Sequence, residues 1–300
     1  MDTLTIIIPH KDIPDLLGRC LDSIPQSDGL RIIVIDDNSN PDIVNFNDFP
    51  GKGRPDIKIM FDKVGGGAGY ARNIGLGNAD SQWVMFADAD DYFVPGFFDI
   101  VSKFFDLNYD AVLFKNVSVR SETGKPSTKG AIYNTMLDNG LTGSQTIRQT
   151  FASVPAPWAK LISLEFLRSN HICFDEIRWS NDVMFSAGVA CYGCNLGLSS
   201  DVIYVVTSRS GSLSENRFTH DGFLARWEVL CRGDKFMIHH GINRPWLVPR
   251  LRLAGKIGIA TFFCSLWTLT ENGLLFTGMG RWVVEKISSK RRALSGTYDI

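Results

Sequence analysis

The chain has 300 residues, of which 44% are hydrophobic and 21% charged, and its formal net charge is −1. A chain of this length and composition can bury a large core, which indicates one large domain or two smaller ones. The near-neutral charge and the lack of a basic-aromatic array in the sequence argue against a nucleic-acid-binding protein.

The first residues, MDTLTIIIPHKD, contain no basic stretch ahead of an apolar run and no small-residue cleavage site. Such a start does not have the pattern of a secretory signal. We therefore expect the chain to begin directly with a strand and to act in the cytoplasm.

The first 120 residues alternate between strand and helix patterns. Apolar runs predict strands at 4–8, 31–35, 57–61 and 84–87, and helical spacing predicts helices at 13–24 and 68–78. Pro9 is expected to end the first strand, and Asp36 and Asp37 the second. Alternation of this kind predicts an α/β fold with a doubly wound, mostly parallel sheet flanked by helices.

The second part of the chain continues this pattern less regularly. A polar segment at 121–129 is the best internal loop boundary. We predict a strand within 110–120 before this segment. After it we predict helices at 144–154, 164–170 and 183–191 and a strand at 202–206. Ser163 is a suitable N-cap for the helix that starts at residue 164.

Three acids follow the apolar run at 84–87, in the sequence WVMFADADDYF. Carboxylates as close as Asp88, Asp90 and Asp91 raise one another's pKa values or stay ionised beside a cation. A hard divalent ion such as Mg²⁺ or Mn²⁺ suits oxygen ligands, and it usually brings a phosphate with it. The alternative at this point is a solvated acidic turn.

Other polar residues fall where doubly wound sheets bind ligands. Asp37 and Asp88 lie just beyond the carboxyl ends of predicted strands, and Arg72 lies near the start of a predicted helix. These positions meet at one edge of such a sheet, at its ligand-binding crevice. Each has an ordinary alternative: Asp37 as a turn or helix-cap residue, and Arg72 as a surface arginine.

The C-terminal region is basic and aromatic. Its basic residues are Arg244, Arg250, Arg252, Lys256, Arg281, Lys286, Lys290, Arg291 and Arg292, opposed by Glu271, Glu285 and Asp299. The apolar stretch at 257–269 is short for a membrane span and suits a buried or interfacial helix. Two interpretations stay open: a helix on anionic lipid headgroups, or a helical cap with a solvated basic face.

Several ordered motifs lie between residues 3 and 215. They read TIIIPHKD, LDSI, IIVIDDNS, GGGAGYARNIGLGNADSQWVMFADADDYF, WAKLISLEFLRSNHICFDE and SNDVMFSAGV. In order and spacing they resemble the GT-A-type inverting glycosyltransferases of family 2 that act in bacterial surface-polysaccharide synthesis. The resemblance implies the GT-A fold and transfer of a sugar from a nucleotide sugar, commonly a UDP-sugar, with inversion and a Mn²⁺ or Mg²⁺ ion.

The resemblance also implies roles on the donor side. Pro9 would lie where the chain turns under the nucleotide base, and Asp37 would accept the uracil N–H. Asp88 and Asp90 match the DxD pair, in which Asp88 contacts ribose or metal-bound water and Asp90 reaches the metal. Asp91 would face the sugar donor or groups behind the metal ligands.

Further roles are implied around the diphosphate and the acceptor. Arg72 would meet phosphate charge or Asp88, and Arg209 belongs to a segment that resembles the RxGS stretch of single-addition enzymes. Asp182 matches the general base, although the Glu that usually precedes it is Asn181 here. The alternative for Asp182 is an acid favoured by a helix dipole, which would keep its pKa low.

Two tryptophans on the presumed acceptor side, Trp158 and Trp179, have two interpretations. Their rings are able to stack on a sugar face, and they are equally ordinary as core aromatics.

The resemblance divides the chain into three parts. Residues 1–120 would form the nucleotide-sugar-binding half of the GT-A domain, 121–215 the acceptor-binding half, and 216–300 a mainly helical C-terminal extension. The implied acceptor is a saccharide, linked to a lipid diphosphate, in O-antigen or capsule synthesis at the inner face of the plasma membrane.

Two other functions are compared with this one. The first is a non-catalytic nucleotide-sugar- or saccharide-binding module on the same fold. The second is a sugar nucleotidyltransferase, which needs a Gly-rich, Arg- or Lys-bearing loop after the first strand. The sequence PHKDIPD at that place argues against the second function.

Overall fold

The computed structural model describes residues 3–209, 219–242 and 247–274. The chain divides into two compact units, residues 1–212 and 213–300. In the first unit eight strands form one sheet, so the predicted halves 1–120 and 121–215 share it. That division within the first unit, and the limit at 215/216, stay predictions.

Eight strands form the sheet of the first unit. They are β1 (Leu4–His10), β2 (Leu30–Asp37), β3 (Ile57–Asp62), β4 (Trp83–Phe86), β5 (Tyr92–Phe93), β6 (Ala111–Arg120), β7 (Lys160–Ser163) and β8 (Leu196–Ser208). Their order in the sheet is β3-β2-β1-β4-β7-β6-β8-β5.

Seven α-helices accompany the sheet in the described part of the first unit. They are α1 (Pro14–Asp22), α2 (Gly67–Asn78), α3 (Phe97–Ser102), α4 (Ala131–Leu141), α5 (Ile147–Ser153), α6 (Leu164–Ser169) and α7 (Asp182–Tyr192). The α/β fold and its flanking helices are confirmed.

The sheet is mixed. β3, β2, β1 and β4 are parallel neighbours, and β6 and β8 are also parallel. β7 is antiparallel to β4 on one side and to β6 on the other. β1 is buried through Ile6, Ile7 and Ile8. Each such side chain contributes about 1.5–3 kcal/mol by leaving water.

The first two strands are longer than predicted. β1 continues through Pro9 to His10, and its pairing with β2 ends where His10 lies opposite Asp36. Pro9 does not end the strand, because pairing with β4 already stops at Ile7 and a proline is tolerated where a strand has lost a neighbour. His10 and Asp36 are polar but buried. The two strands therefore continue past the apolar residues into the acidic segment.

The helix starts follow local signals. Ser163 accepts a hydrogen bond from Phe166 N–H and caps α6, as predicted. Thr146 and Gln149 form a capping box at the start of α5, which satisfies two backbone N–H groups. At Gly75, α2 crosses β1 so closely that a Cβ would lie 2.4 Å from Ile7 Cγ2.

The second unit is helical where it is described. It contains α8 (His220–His239), α9 (Leu247–Ile257) and α10 (Ile259–Glu271). Its core consists of Phe223, Trp227, Cys231, Ala254, Leu269 and Leu274. None of the helices in the described ranges is both long and apolar enough to cross a membrane.

Most of the predicted basic residues of the C-terminal region lie outside the described residues. These are Arg244, Arg281, Lys286, Lys290, Arg291 and Arg292.

Candidate functional site

The functional residues predicted from the sequence gather at one edge of the sheet. Parallel strands bring their carboxyl ends to the same edge, where β2 ends at Asp37 and β4 ends two residues before Asp88. Because β7 is antiparallel to β4, its first residue, Lys160, lies at this edge too.

The turn after β4 holds three carboxylates together. Asp88, Asp90 and Asp91 each offer one oxygen, and these oxygens lie within 4.8 Å of one another. The side chain of Asp88 is 34% exposed and that of Asp90 is 17% exposed. Asp91 is buried. A ligand arriving from solvent would therefore reach Asp88 and Asp90 first.

Asp91 is in an unfavourable place for a negative charge. Burial raises its pKa well above the ordinary range, and the charges of Asp88 and Asp90 raise it further. One contact opposes this effect, since the Thr207 N–H donates to Asp91 Oδ1 at 2.7 Å. Asp91 is thus turned towards the backbone of β8. That it faces the sugar donor stays a prediction.

Arg72 connects the acidic turn to the start of α7. Its Nη2 donates to Asp88 Oδ1 at 2.6 Å, and its Nη1 donates to Asn181 Oδ1 at 3.0 Å. The guanidinium lies 5.2 Å from the centre of the Phe174 ring and is buried. Its Nε has no hydrogen-bond partner among the described residues. Arg72 meets Asp88, one of its two predicted contacts.

Close packing behind Arg72 depends on Gly69. A Cβ at this position would lie 2.1 Å from the carbonyl oxygen of Asp175 and 3.0 Å from the Asn181 Cβ. Only a glycine in α2 allows the segment before α7 to approach Arg72 so closely.

Asp90 is held from three sides. Arg209 Nε donates to its Oδ2 at 3.0 Å. Its backbone carbonyl accepts from Thr207 Oγ1 at 2.7 Å and from the guanidinium of Arg19. Arg209 was predicted beside the diphosphate, and the structure pairs it with a predicted metal ligand.

The acidic turn fits a hard divalent cation. Hydrogen bonds among the described residues engage one oxygen of each carboxylate, namely Asp88 Oδ1, Asp90 Oδ2 and Asp91 Oδ1. The other oxygens are the donors that Mg²⁺ and Mn²⁺ prefer. Asp88 and Asp90 are the residues that would hold the ion, because both reach solvent and Asp91 does not.

The acids at the end of β2 have donors of their own. Asp36 accepts from His10 Nδ1 at 2.9 Å, from Ser39 Oγ at 2.6 Å and from Ser39 N–H at 3.1 Å. Although burial acts to raise it, these hydrogen bonds leave the pKa of Asp36 below its ordinary value. Asp36 is therefore a structural acid that braces β1 and the turn after β2.

Asp37, the predicted base-recognition residue, is buried beside a glycine-rich turn. Both of its oxygens accept from Gly67 N–H, at 3.0 and 3.1 Å. Lys11 Nζ lies 3.7 Å from Oδ2. Burial raises the pKa of Asp37, and the contacts with Gly67 and Lys11 oppose the rise. Pro9 is half-buried in β1 on the neighbouring strand.

Asp182 lies in the first turn of α7 and is half-buried. Burial raises its pKa, while the charges of Arg72 and Lys160 and its own backbone N–H lower it and Asp88 raises it again. The expectation that a helix dipole would keep this pKa low is wrong, because desolvation outweighs it.

Two further residues differ from their sequence interpretation. Trp158 is only 6% exposed and stacks on Tyr204 at 5.5 Å between ring centres, so its core interpretation is correct. Lys160 had no predicted role, yet it is fully buried, with Nζ donating to Val154 O at 2.6 Å and to Ser186 Oγ, one helical turn after Asp182, at 3.0 Å. A lysine directly after PAPWA carried no signal of burial in the sequence.

Comparisons with known proteins identify the family and the fold. The profile described as "Glycosyl transferase family 2" matches residues 5–158. Among curated proteins, the uncharacterized glycosyltransferase YibD of Escherichia coli is 24% identical over 201 residues. The poly(ribitol-phosphate) beta-N-acetylglucosaminyltransferase TarS of Staphylococcus aureus is 22% identical over 218 residues.

The coverage of these two relatives is partial. The YibD match takes in 63% of this chain and 58% of YibD. The TarS match takes in 70% of this chain and 36% of TarS. The chain thus corresponds to between a third and three-fifths of the length of these relatives.

Solved structures show the fold. TarS residues 1–349 in complex with UDP-GlcNAc align with a TM-score of 0.64 and 18% identity, over 90% of this chain and 80% of that one. The mannosyltransferase PcManGT of Pyrobaculum calidifontis, in complex with GDP-Man and Mn²⁺, aligns with a TM-score of 0.55 and 18% identity, over 97% of this chain and 80% of that one. The chain has the GT-A fold and belongs to glycosyl transferase family 2.

Proposed function

We propose that this chain is an inverting, metal-dependent glycosyltransferase that moves one sugar from a nucleotide sugar to a saccharide acceptor in surface-polysaccharide synthesis. The observation that carries the proposal is the bridge made by Arg72. A single buried guanidinium donates to Asp88 in the acidic turn and to Asn181, the residue before Asp182. One side chain therefore links the acidic turn, which is proposed to serve the donor, to the residue before Asp182, the proposed base.

Inversion requires a base on the face of the sugar opposite the leaving diphosphate. Asp182 takes this role. Its carboxylate accepts the proton of the acceptor hydroxyl while that oxygen bonds to the anomeric carbon and the bond from the carbon to the diphosphate breaks. Burial raises the pKa of Asp182, and a more basic carboxylate holds the transferred proton better.

Positive charge must meet the diphosphate as it leaves. Asp88 and Asp90 would hold a Mg²⁺ or Mn²⁺ ion, which would supply positive charge for the leaving diphosphate. Arg72 and Arg209 lie against the same two carboxylates, at 2.6 and 3.0 Å. They keep positive charge beside the proposed site, and Arg209 would be available to a diphosphate bound at Asp90.

The donor proposed is a UDP-sugar. Asp37 offers only acceptor oxygens, which suits the ring N–H of uracil. Guanine also carries a ring N–H, so the base has to be tested directly. The TarS complex with UDP-GlcNAc supports uridine, and the PcManGT complex with GDP-Man supplies the competing donor.

The acceptor proposed is a saccharide linked to a lipid diphosphate at the inner face of the plasma membrane. The feature in favour is a stripe on α10, where Ile259, Phe263 and Trp267 are spaced four residues apart and are 78%, 61% and 67% exposed. Apolar and tryptophan side chains on one helix face, in a basic region, suit the headgroup layer of an anionic membrane.

Sedimentation with phosphatidylglycerol vesicles tests the membrane part of the proposal. We expect the protein to sediment at low salt, and the Phe263→Ser, Trp267→Ser double variant to remain in the supernatant. No binding of the unaltered protein at low salt would contradict the membrane surface and leave the sugar transfer standing.

A panel of nucleotide sugars tests the donor. We expect UDP-sugars with Mn²⁺ to raise the melting temperature more than GDP-mannose does, since ligand stabilisation follows affinity. One UDP-sugar should also release UDP slowly by hydrolysis without an acceptor. Stabilisation without UDP release from any donor would favour the non-catalytic binding module. Membership of family 2 argues against the nucleotidyltransferase.

A further inference from the structure

Lys160 is fully buried at the start of β7. An ammonium group in such a place is unusual, because removing its charge from water costs free energy. The antiparallel pairing of Val84 with Ile162 sets Lys160 at the carboxyl end of β4, the edge that carries Asp88. This buried cation therefore lies beside the proposed site.

The ammonium group is fixed between two segments. Lys160 Nζ donates to Val154 O at 2.6 Å and to Ser186 Oγ at 3.0 Å. Ser186 Oγ in turn donates to Pro155 O at 2.7 Å. Two of the three ammonium hydrogens thus tie the segment after α5 to α7. Ser186 lies one helical turn after Asp182, on the same face of α7.

The charges of Lys160 and Asp182 stabilise one another. Burial lowers the pKa of Lys160 to about 7, and Asp182 is the acid that raises it among the described groups. Around Asp182, burial raises the pKa, Arg72 and Lys160 lower it, and Asp88 raises it. Arg72 is already paired with Asp88 at 2.6 Å, whereas Lys160 has no second acid acting on it in the described part of the chain.

We propose that Lys160 is a positioning residue for the base of the transfer. Through Ser186 it holds the first turns of α7 in place, and in its protonated form it adds, from inside the sheet, a positive charge that favours the ionised form of Asp182. This inference rests on the function proposed above, in which Asp182 is the base.

The pH profile of turnover separates this role from a merely structural one. Lys160→Met removes the charge and keeps the length, and Ser186→Ala removes one hydrogen bond and keeps the charge. We expect the acid limb of the kcat profile to move to higher pH in Lys160→Met, so that turnover falls about tenfold or more at pH 6 and about threefold or less at pH 9.

Ser186→Ala should lower kcat without moving the acid limb of the pH profile, because Lys160 keeps its charge. A Lys160→Met profile lowered by the same factor at every pH would contradict the proposal, since lost packing alone gives that result.

A direct titration gives a readout that does not depend on activity. The carboxyl carbon of Asp182, followed by NMR in protein labelled at aspartate and assigned by its absence in Asp182→Asn, should titrate at higher pH in Lys160→Met than in the unaltered protein. If Lys160→Met does not fold, the reciprocal titration decides. The inflection of Lys160 should then move down in Asp182→Asn, and an unmoved inflection overturns the proposal.

Different results would contradict the proposed function and the role of Lys160. Normal turnover of Asp182→Asn removes the base, and with it the proposed function. Loss of turnover in Asp182→Asn together with an unshifted Lys160→Met profile and an unshifted Asp182 titration removes only the role of Lys160.

Discussion

The two strands that flank β1 lead into acidic segments, and one buried acid of each, Asp36 and Asp91, is in the opposite electrostatic state to the other. After β2, Asp36 has donors from His10 and Ser39, and its pKa is held below the ordinary value. After β4, Asp91 has one backbone donor and two acidic neighbours, and its pKa is raised. The sequence pattern of an apolar strand followed by aspartates therefore does not by itself distinguish a structural acid from a ligand site.

The difference lies in the donors that the fold supplies. Asp36 is satisfied by the protein itself and contributes to stability. The acids after β4 repel one another at close range, with Arg72 and Arg209 each pairing with one of them. Carboxylates kept in that state indicate a ligand site, since a cation would remove the cost. Substitutions in and beside these two acidic segments test this contrast. Substitution of Asp182, an acid outside both segments, gives a reference for their effects.

The largest effect is expected at Asp182, which belongs to neither segment. Asp182→Asn should lower turnover about 10²–10⁴-fold, the usual contribution of a general base. The stabilisation by Mn²⁺ with UDP should persist, because the donor side is intact. Initial rates and melting temperatures measure both. Asp80→Asn, an exposed acid, is the matched control, and normal turnover of Asp182→Asn would exclude it as the base.

Asp90→Asn should abolish the extra stabilisation that Mn²⁺ gives in the presence of UDP. At a ligand concentration 100 times Kd this amounts to about 2.7 kcal/mol. Asp36→Asn, the same change in the other acidic segment, should keep the metal-dependent shift. Calorimetric melting with and without Mn²⁺ compares the two, and equal shifts in both variants would erase the distinction between the segments.

Asp36→Asn should instead lower the free energy of unfolding by about 1–3 kcal/mol at pH 7, because three buried donor groups, on His10 and Ser39, lose an ionised acceptor. The folded-state pKa of Asp36 is lowered. Its contribution is thus fully present above the unfolded value of about 3.9 and is lost as pH falls through the folded value. Urea unfolding at neutral and acid pH measures this, and a loss that stays constant with pH would be contrary to the account.

Asp91→Asn should have the opposite sign in protein without metal. The folded-state pKa of Asp91 is raised, so the stability that it contributes is present below the unfolded pKa and is lost as pH rises through the folded one. Removing the acid should then raise the free energy of unfolding at pH 8 by on the order of 1 kcal/mol. Urea unfolding at pH 8 tests this, and a destabilised variant would show that Asp91 is a structural acid like Asp36.

The smallest effect concerns the paired arginine. Arg209→Gln removes a positive charge 3.0 Å from Asp90, so Mn²⁺ without nucleotide should bind up to about fivefold more tightly, the worth of a partly exposed pair. Lys11→Gln, beside Asp37 at 3.7 Å, should leave Mn²⁺ binding unchanged. Titration calorimetry compares the two variants. Weaker Mn²⁺ binding in Arg209→Gln would contradict the ion pair seen here.

Much of the first half of the fold could be predicted because β1, β2 and β4 are almost entirely buried. Such strands appear as continuous apolar runs. The predicted limits of these strands, and of the half-buried edge strand β3, are within a few residues of the observed ones. The short strands β5 and β7 were missed. Two and four residues are too few for a periodic pattern, and pairing in the sheet decides their structure.

The site was predicted less completely than the fold, for physical reasons. The sequence identified the acids after β4 but could not assign Asp36 and Asp91 to opposite states, because His10 of β1 and Thr207 of β8, which donate to them, are distant in sequence. The alternative interpretation of Asp182, a helix-dipole acid with a low pKa, could be drawn from the sequence, whereas the burial that raises this pKa depends on the fold. Lys160 was missed because its burial follows from the antiparallel insertion of β7.

The measurement that tests the central claim most directly is a crystal structure with Mn²⁺ and UDP, using the anomalous signal of manganese. We predict one manganese peak with oxygens of Asp88 and Asp90 as ligands, next to the diphosphate, and an Arg72 that still reaches Asn181. UDP bound at this edge without manganese near either carboxylate would contradict the account.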